Sequence, residues 1–234
     1  MKIIVLFLSI ALLMTPRQVT AAIGCTLNNP AADLKYLYPE MTTYKEDLKE
    51  LPKLKGGPEL FKGLRERLGS DLDTIYEGYE TPYTVYSVFN GQTKIGIVHG
   101  VNVPGKGGVI QVFLSMDPAT AVIRNFFFQR LESSAGRELR NKEFRRQFEG
   151  LTLGDFYKHD YYAVVDPGAK ADRVAAIRPP ALDASGRSDY EASLRGIRKN
   201  LILLDFFVYG RRFDPYFERA RQATAKAKAQ KGSL

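Results

Sequence analysis

The sequence is poor in the residues that most often carry metal and redox chemistry. It has one cysteine and two histidines in 234 residues. A lone Cys25 can form neither an internal disulfide nor a cysteine-based metal cluster. His99 and His159 have no cluster of further ligands beside them, so we expect both to be structural or solvated rather than metal or haem ligands.

Conventional catalytic motifs are also missing. The sequence contains no HExxH, CxxCH, GxSxG or Walker segment, which leaves zinc proteases, c-type cytochromes, α/β-hydrolases and P-loop nucleotidases without a signature. No pair of residues has the pattern of an acid and a base dedicated to one substrate. The sequence therefore does not favour a metabolite-specific enzyme.

The first 22 residues have the layout of a secretory signal peptide. Lys2 supplies a positive charge, residues 3–14 form an almost unbroken apolar run, and residues 19–22 include small side chains suited to cleavage. The run is shorter than the roughly 20 residues that span a bilayer. We expect export, with the periplasm as the compartment; an uncleaved membrane anchor is the alternative.

Cys25 allows two interpretations. The pair Gly24-Cys25 matches the end of a lipoprotein box, which predicts a lipid anchor on the cysteine. Ala22 stands where a larger aliphatic residue is usual, and Arg17-Gln18 separates the apolar run from the cysteine. These departures favour the other interpretation, a lone thiol in a flexible N-terminus.

The chain is basic, with a formal net charge of +8. For an exported protein this charge indicates an anionic membrane surface, an acidic partner or an anionic ligand rather than nucleic acid. Part of the excess lies in residues 211–234, where basic side chains alternate with alanine and glutamine. We expect this segment to be a solvated, frayed tail.

Hydrophobic periodicity divides the remaining chain. Residues 23–80 are predicted to form a helical and irregular extension, with an amphipathic helix that starts at Pro58 and ends at Gly69. Residues 81–210 are predicted to form the main domain. It begins with four segments rich in β-branched and aromatic residues, which predict an antiparallel meander: 83–89, 94–101, 109–115 and 121–129.

Helices are expected to cover this sheet. Ser133 or Ser134 is the expected cap of a helical segment that ends at Gly150, and Ser188 or Asp189 is the expected cap of a long helix after it.

Two further segments, 161–165 and 174–177, are candidates for short strands. The predicted fold class is α+β, an antiparallel β-meander sheet covered by helices with a helical N-terminal extension.

Three motifs follow one another along the main domain. Glycines between two strands serve either as turn residues or as places where backbone approaches a flat or phosphorylated ligand. In chain order the motifs are Gly105-Lys106-Gly107-Gly108, Glu132-Ser133-Ser134-Ala135-Gly136 and Phe144-x-x-Gln147-Phe148-x-Gly150.

The order and spacing of these motifs resemble the FMN-binding domain of the covalent-flavin subunits of the Rnf complex and of the sodium-pumping quinone reductase. The resemblance covers roughly residues 80–207. The family's glycine segment usually reads Gly-Tyr-Gly-Gly-Pro-Ile, and its second segment Glu-Thr-Pro-Gly-Leu-Gly. Here Lys106 replaces the tyrosine, and residues 133–135 replace Thr-Pro-Gly.

The family also has a flavin-attachment motif, Asp-x-x-Ser-Gly-Ala followed by Thr or Ser, whose last hydroxyl is esterified with the FMN phosphate. Residues 183–188 read Asp-Ala-Ser-Gly-Arg-Ser. The resemblance makes Ser188 the candidate for covalent attachment, with Arg187 beside it to pair with the phosphate. The spacing is one residue short and Arg187 replaces alanine, which favours non-covalent FMN. A helix cap explains Ser188 equally well.

FMN is the cofactor that the resemblance implies. Phe126, Phe127 and Phe128 together with Phe144 and Phe148 either form a slot for its ring or pack in the core. The residues implied in cofactor binding are Gly105, Gly107, Gly108, Glu132, Ser133, Ser134, Phe144, Gln147, Phe148, Ser185, Gly186, Arg187 and Ser188.

Two functions remain open at this point. The first is an exported flavoprotein that relays electrons to or from a membrane-bound or periplasmic redox partner. The second is a flavin-free domain of the same fold that acts as a binding or assembly module in the cell envelope, held by its basic surface.

Overall fold

A computed structural model describes residues 25–72, 77–159 and 172–231. Its centre is an open five-stranded antiparallel sheet in which neighbouring strands are also consecutive in the chain. The predicted meander and the α+β class are confirmed. The strands are β1 (Thr43–Glu50), β2 (Pro82–Asn90), β3 (Thr93–Pro104), β4 (Val109–Met116) and β5 (Ile123–Arg130).

Strand β1 departs from the helical and irregular structure that is predicted for residues 23–80. Its sequence, TYKEDLKE, is mostly charged and lacks an apolar face. It lies at the edge of the sheet and pairs with β2, with Thr43 opposite Phe89 and Glu50 opposite Pro82. Charged side chains suit an edge strand, because its open side meets water.

Seven helices surround the sheet within the described residues. The longest, α6, lies across β3 and β4, and Gly196 allows this approach because a Cβ there would lie 2.8 Å from Val112 Cγ1. The helices are α1 (Pro30–Leu37), α2 (Gly57–Leu68), α3 (Gly136–Leu139), α4 (Lys142–Arg146), α5 (Leu153–Lys158), α6 (Ala184–Phe207) and α7 (Asp214–Lys231).

The sheet separates two apolar cores. The larger one lies between the sheet and helices α2 to α6. The smaller one lies on the opposite face, where residues 25–41 cross the sheet. Tyr38 is buried there, and its hydroxyl accepts a hydrogen bond from Ser115 Oγ at 2.7 Å. Both faces of the meander are therefore covered, one by helices and one by the N-terminal segment.

Two predicted caps are wrong. Helix α6 begins after Asp183, whose Oδ1 accepts the Gly186 N–H at 2.6 Å, so Ser188 and Asp189 lie inside the helix. The two serines of the second motif do not cap a helix either: α3 begins after Ala135 without a side-chain cap. The carboxylate of Asp183 reaches the free N–H groups first, which explains the earlier start of α6.

The helical segment predicted to run to Gly150 is divided into α3 and α4 at Asn141, whose Oδ1 accepts the Glu143 N–H at 2.7 Å. Residues 174–177 form a turn rather than a strand, while 161–165 lie outside the described residues. The predicted frayed tail is instead largely helical, as α7. Its alanine-rich composition favours helix.

Cys25 is buried rather than part of a flexible N-terminus, with 9% of its surface exposed. It packs in the smaller core with Leu27 and Tyr86, and burial raises the pKa of its thiol to about 12. None of the helices in the described part of the chain is long and apolar enough to cross a membrane.

Candidate functional site

Three segments that are distant in sequence meet at one end of the sheet, where β3 ends, β4 begins and β5 ends. They are the β3–β4 loop (105–108), the segment after β5 (132–135) and the start of α6 (183–190). Lys106 N–H donates to Asp189 Oδ1 at 2.6 Å, and Ser134 Oγ donates to Asp183 Oδ1 at 3.2 Å. We call this arrangement the three-segment junction.

The glycines of the loop are required by close packing. The carbonyl oxygen of Glu132 lies in the space that a Cβ atom on Gly107 would occupy. Gly108 has φ 141°, and a Cβ there would lie 3.2 Å from Glu132 Oε2. A Cβ on Gly105 would lie 2.7 Å from Ile110 Cδ1. The loop thus approaches the protein's own backbone closely, and any ligand would meet the remaining outer surface.

The polar residues after β5 already have local partners. Glu132 is exposed, and its Oε1 accepts hydrogen bonds from Arg130 Nη2 at 2.8 Å and Nε at 3.0 Å. Ser133 Oγ accepts the Ala135 N–H at 3.1 Å. The side chains of Glu132 and Ser134 remain at the surface of the junction, where a ligand can reach them.

The aromatic part of the third motif belongs to the core. Phe148 is fully buried, with its ring centroid 5.0 Å from Phe126 and 5.4 Å from Phe144. Phe126 also contacts Phe128 at 5.5 Å, whereas Phe127 stacks on Phe113 on the opposite face of the sheet. The five phenylalanines therefore do not form one open slot.

Gln147 has a structural partner outside the junction. Its Nε2 donates to Arg178 O at 3.1 Å, and its Oε1 accepts the Arg178 N–H at 2.8 Å. This paired contact attaches the segment that precedes α6 to α4. Gln147 is thus separated from the loop glycines with which the resemblance grouped it.

The start of α6 presents the residues of the attachment motif differently. Gly186 is buried, because a Cβ there would lie 2.8 Å from Ala135 Cβ. Ser185 is half-buried, whereas Arg187 and Ser188 are exposed. A hydroxyl and a guanidinium are thus available on the first turns of the helix, where the helix dipole favours an anion.

Two residues of the junction were missed as ligand candidates. Asp189 is completely buried; Oδ1 accepts from Lys106, while Oδ2 has no hydrogen-bond partner among the described residues. Tyr190 is half-buried, and its ring lies 5.9 Å from Phe144. Both residues directly follow Ser188 in the sequence, and this adjacency was the signal available. Because Asp189 is predicted to be a helix cap, its burial is not expected.

Both histidines lie outside the junction. His99 is buried in β3, and its Nδ1 lies 2.7 Å from Asn200 Oδ1 on α6. Burial lowers the pKa of His99 to about 4. His159 Nδ1 lies 2.7 Å from Asp172 Oδ2. His99 thus bridges the sheet and α6, and His159 contacts the segment before α6.

The residues at the junction fit the two ends of FMN unequally. Arg187 and Ser188 suit its phosphate, because a guanidinium and a hydroxyl at a helix start bind such a group. Phe144 and Phe148 are packed in the core and do not offer a ring face at the surface. Tyr190 is the aromatic side chain beside Ser188 that keeps part of its surface exposed.

Comparisons with known proteins give similarity in structure and none in sequence. No protein-family model matches the sequence, and no curated protein matches it. Among solved structures, the chain is similar to the crystal structure of NqrC from Shewanella oneidensis, with a TM-score of 0.46 and 15% sequence identity. The alignment covers 86% of this chain and 93% of that chain.

Proposed function

We propose that this chain is an exported flavoprotein that holds FMN at the three-segment junction and relays electrons to or from a membrane-bound or periplasmic redox partner. The observation that supports the proposal best is the convergence of the segments. The glycine loop, Glu132 with its serines, and the segment 183–188 are separated in sequence, yet they lie together at one end of the sheet.

Different residues of the junction would contact different parts of the cofactor. Arg187 offsets the charge of the phosphate, and the positive end of the α6 dipole adds to this attraction. Lys106 and Asp189 fix the loop to α6, so the glycine backbone stays in place. Glu132 and Ser134 offer polar contacts to the ring edge. FMN, when bound, supplies the electron-carrying chemistry, and the protein sets its position and surroundings.

Non-covalent binding is the form that we propose, with Ser188 as the site of attachment if the cofactor is covalent. Ser188 is exposed, so a flavin transferase can reach it. The test is the visible spectrum of the mature protein from its native host, followed by acid precipitation. Flavin released into the supernatant supports non-covalent binding, and flavin retained on a peptide that contains Ser188 supports attachment. A colourless protein that takes up no added FMN would contradict the proposal.

Export is part of this proposal and rests on residues 1–22. Fractionation of cells that express the full chain, with mass measurement of the mature N-terminus, tests it. A mature chain that starts near Ile23 in the periplasmic fraction is the expected result. A full-length chain in the cytoplasm would contradict export while leaving FMN binding to be judged by the spectrum.

A second function is favoured by the aromatic packing. Because Phe144 and Phe148 fill the core and the loop glycines pack on Glu132, the junction is also complete as a structural element. The chain would then be a flavin-free envelope module whose basic side chains bind an anionic membrane or an acidic partner. Co-sedimentation with anionic vesicles, compared with the double variant Arg219→Glu and Lys226→Glu on exposed positions of α7, tests it. Retained binding of the variant would contradict this role for the tail.

A further inference from the structure

A second candidate binding site lies away from the three-segment junction. A cavity of about 480 Å³ opens between the end of α2, the turn that follows it, α5, the middle of α6 and α7. Its volume falls within the range of roughly 300–1,000 Å³ that is usual for small-molecule sites. The residues that line it include none of the junction residues.

Arg67 in the wall of this cavity is incompletely satisfied. It is 6% exposed, and its guanidinium lies 4.0 Å above the ring of Phe217. Its Nη2 lies 3.0 Å from Asp214 Oδ1, but Nε and Nη1 are buried without a hydrogen-bond partner. A buried charged group with unmade hydrogen bonds is costly, so native proteins usually give it a ligand or partner.

Arg67 shares its carboxylate partner with a second arginine. Asp214 faces two guanidinium groups, because its Oδ2 also pairs with Arg211 Nη2 at 2.7 Å. The nearby carboxyl of Asp205 is buried, and burial raises its pKa to about 6. Asp214 is thus shared by two arginines, and an anion near Arg67 would gain a favourable interaction with its guanidinium.

The remaining walls limit what such an anion can be. Two acidic residues line the cavity, Glu66 at 3.6 Å from Arg221 and Asp71 at 3.9 Å from Arg195. Three arginines, Arg67, Arg198 and Arg221, line it as well, so these side chains sum to a formal charge of +1, which suits a singly charged anion better than a doubly charged phosphate. Apolar surface is supplied by Phe217, which is half-buried. A ligand with one negative charge and an apolar body therefore suits this cavity best.

We propose that the cavity binds a small organic carboxylate, with the carboxylate at the guanidinium of Arg67 and the apolar body against Phe217. Tyr157 lines the same wall. Burial raises the pKa of its hydroxyl, so Tyr157 adds no negative charge to this wall. The site is independent of the flavin proposal, because it shares no residue with the junction.

Ligand-observed fluorine NMR on the full mature chain tests the proposal, with 4-fluorobenzoate as the probe and 4-fluorobenzamide as its neutral counterpart. We expect the carboxylate to bind at least about tenfold more tightly than the amide, because a charge-assisted hydrogen bond is lost with the amide. Arg67→Gln should weaken 4-fluorobenzoate binding by a similar factor. Arg65→Gln, an exposed neighbour on α2 that does not line the cavity, should leave binding unchanged.

A second variant keeps the test decisive if Arg67→Gln does not fold. Ala220→Phe on α7 places a ring into the cavity from a half-buried position and should abolish binding of the probe, with the fold checked by circular dichroism. Equal binding of the carboxylate and the amide would overturn the proposal. So would probe binding that survives Ala220→Phe, or displacement of the probe by inorganic phosphate more readily than by benzoate.

Discussion

Glu132 and Gly107 are in direct backbone contact, and the Glu132 carbonyl oxygen occupies the space that a side chain at position 107 would need. The loop between β3 and β4 is therefore held on the segment after β5 only while residue 107 is glycine. The first prediction tests this contact.

We expect Gly107→Ala to lower the free energy of unfolding by about 1–3 kcal/mol, because backbone would have to move to admit the methyl group. FMN uptake should weaken in parallel, since the displaced loop forms part of the proposed site. Urea denaturation and a flavin titration measure the two effects. Gly78→Ala is the matched control, because no atom lies within 4 Å of a Cβ there; equal stability of the two variants would contradict the prediction.

The start of α6 gives a second prediction. Asp183→Ala removes the carboxylate that accepts the Gly186 N–H and the hydrogen bond from Ser134, and should cost about 1 kcal/mol of stability. Ser188→Ala, at an exposed position inside the helix, should change it by less than about 0.5 kcal/mol. Thermal or urea unfolding compares them. A larger loss of stability for Ser188→Ala than for Asp183→Ala would contradict this prediction and identify Ser188 as the cap.

A third prediction concerns His99, whose pKa burial lowers from 6.5 to about 4. The unfolded chain takes up this proton first as the pH falls. The contribution of neutral His99 to stability is therefore complete above about pH 6.5 and is lost progressively as the pH falls towards about 4. In an NMR titration, its ring resonances should stay unchanged down to about pH 5. A midpoint near its ordinary value would contradict the burial, and His159→Gln assigns the two histidines.

The contribution of Asp205 to stability has the opposite pH dependence to that of His99 over part of this range. Burial raises its pKa from 3.8 to about 6, so the folded chain retains this proton more strongly and stability falls as the pH rises through that interval. Comparing urea unfolding of the wild type and His99→Gln at several pH values separates the two groups. The variant should lose less stability on acidification than the wild type does.

Cys25 provides a fourth prediction. Its sulfur is buried and the pKa of its thiol is raised to about 12, so little reactive thiolate is present at neutral pH. A disulfide reagent should modify the folded chain at least about a hundredfold more slowly than the chain in urea. Mass spectrometry of the mature protein should find a free thiol. Fast labelling of the native protein, or a lipid on Cys25, would contradict the burial.

The meander was predictable because the four segments 83–89, 94–101, 109–115 and 121–129 combine β-branched and aromatic residues with short polar turns. Strand β1 was not predictable by the same signal. Its charged residues face water along the sheet edge, and its position is set by backbone pairing with β2 rather than by burial of its own side chains. Such a strand resembles a loop in sequence.

The segments that form the three-segment junction were identified from the sequence, but the contacts of their individual residues were not. The glycine loop reaches α6 through the contact of Lys106 with Asp189, whereas Phe148 and Gln147 are used in packing and in a backbone contact. Periodicity could not reveal that Asp189 is buried, because an aspartate near a helix start ordinarily serves as a cap. Its burial depends on Lys106, eighty-three positions earlier in the chain.

The order of the strands has a consequence for how the chain acquires its structure during synthesis or secretion. Each strand pairs with the one made just before it, from β1 to β5, so the sheet can grow as the chain emerges. Helix α6, which covers β3 and β4, starts only at Ala184. An apolar face of the sheet thus stays exposed until late in synthesis. During that time a chaperone would protect the chain from aggregation.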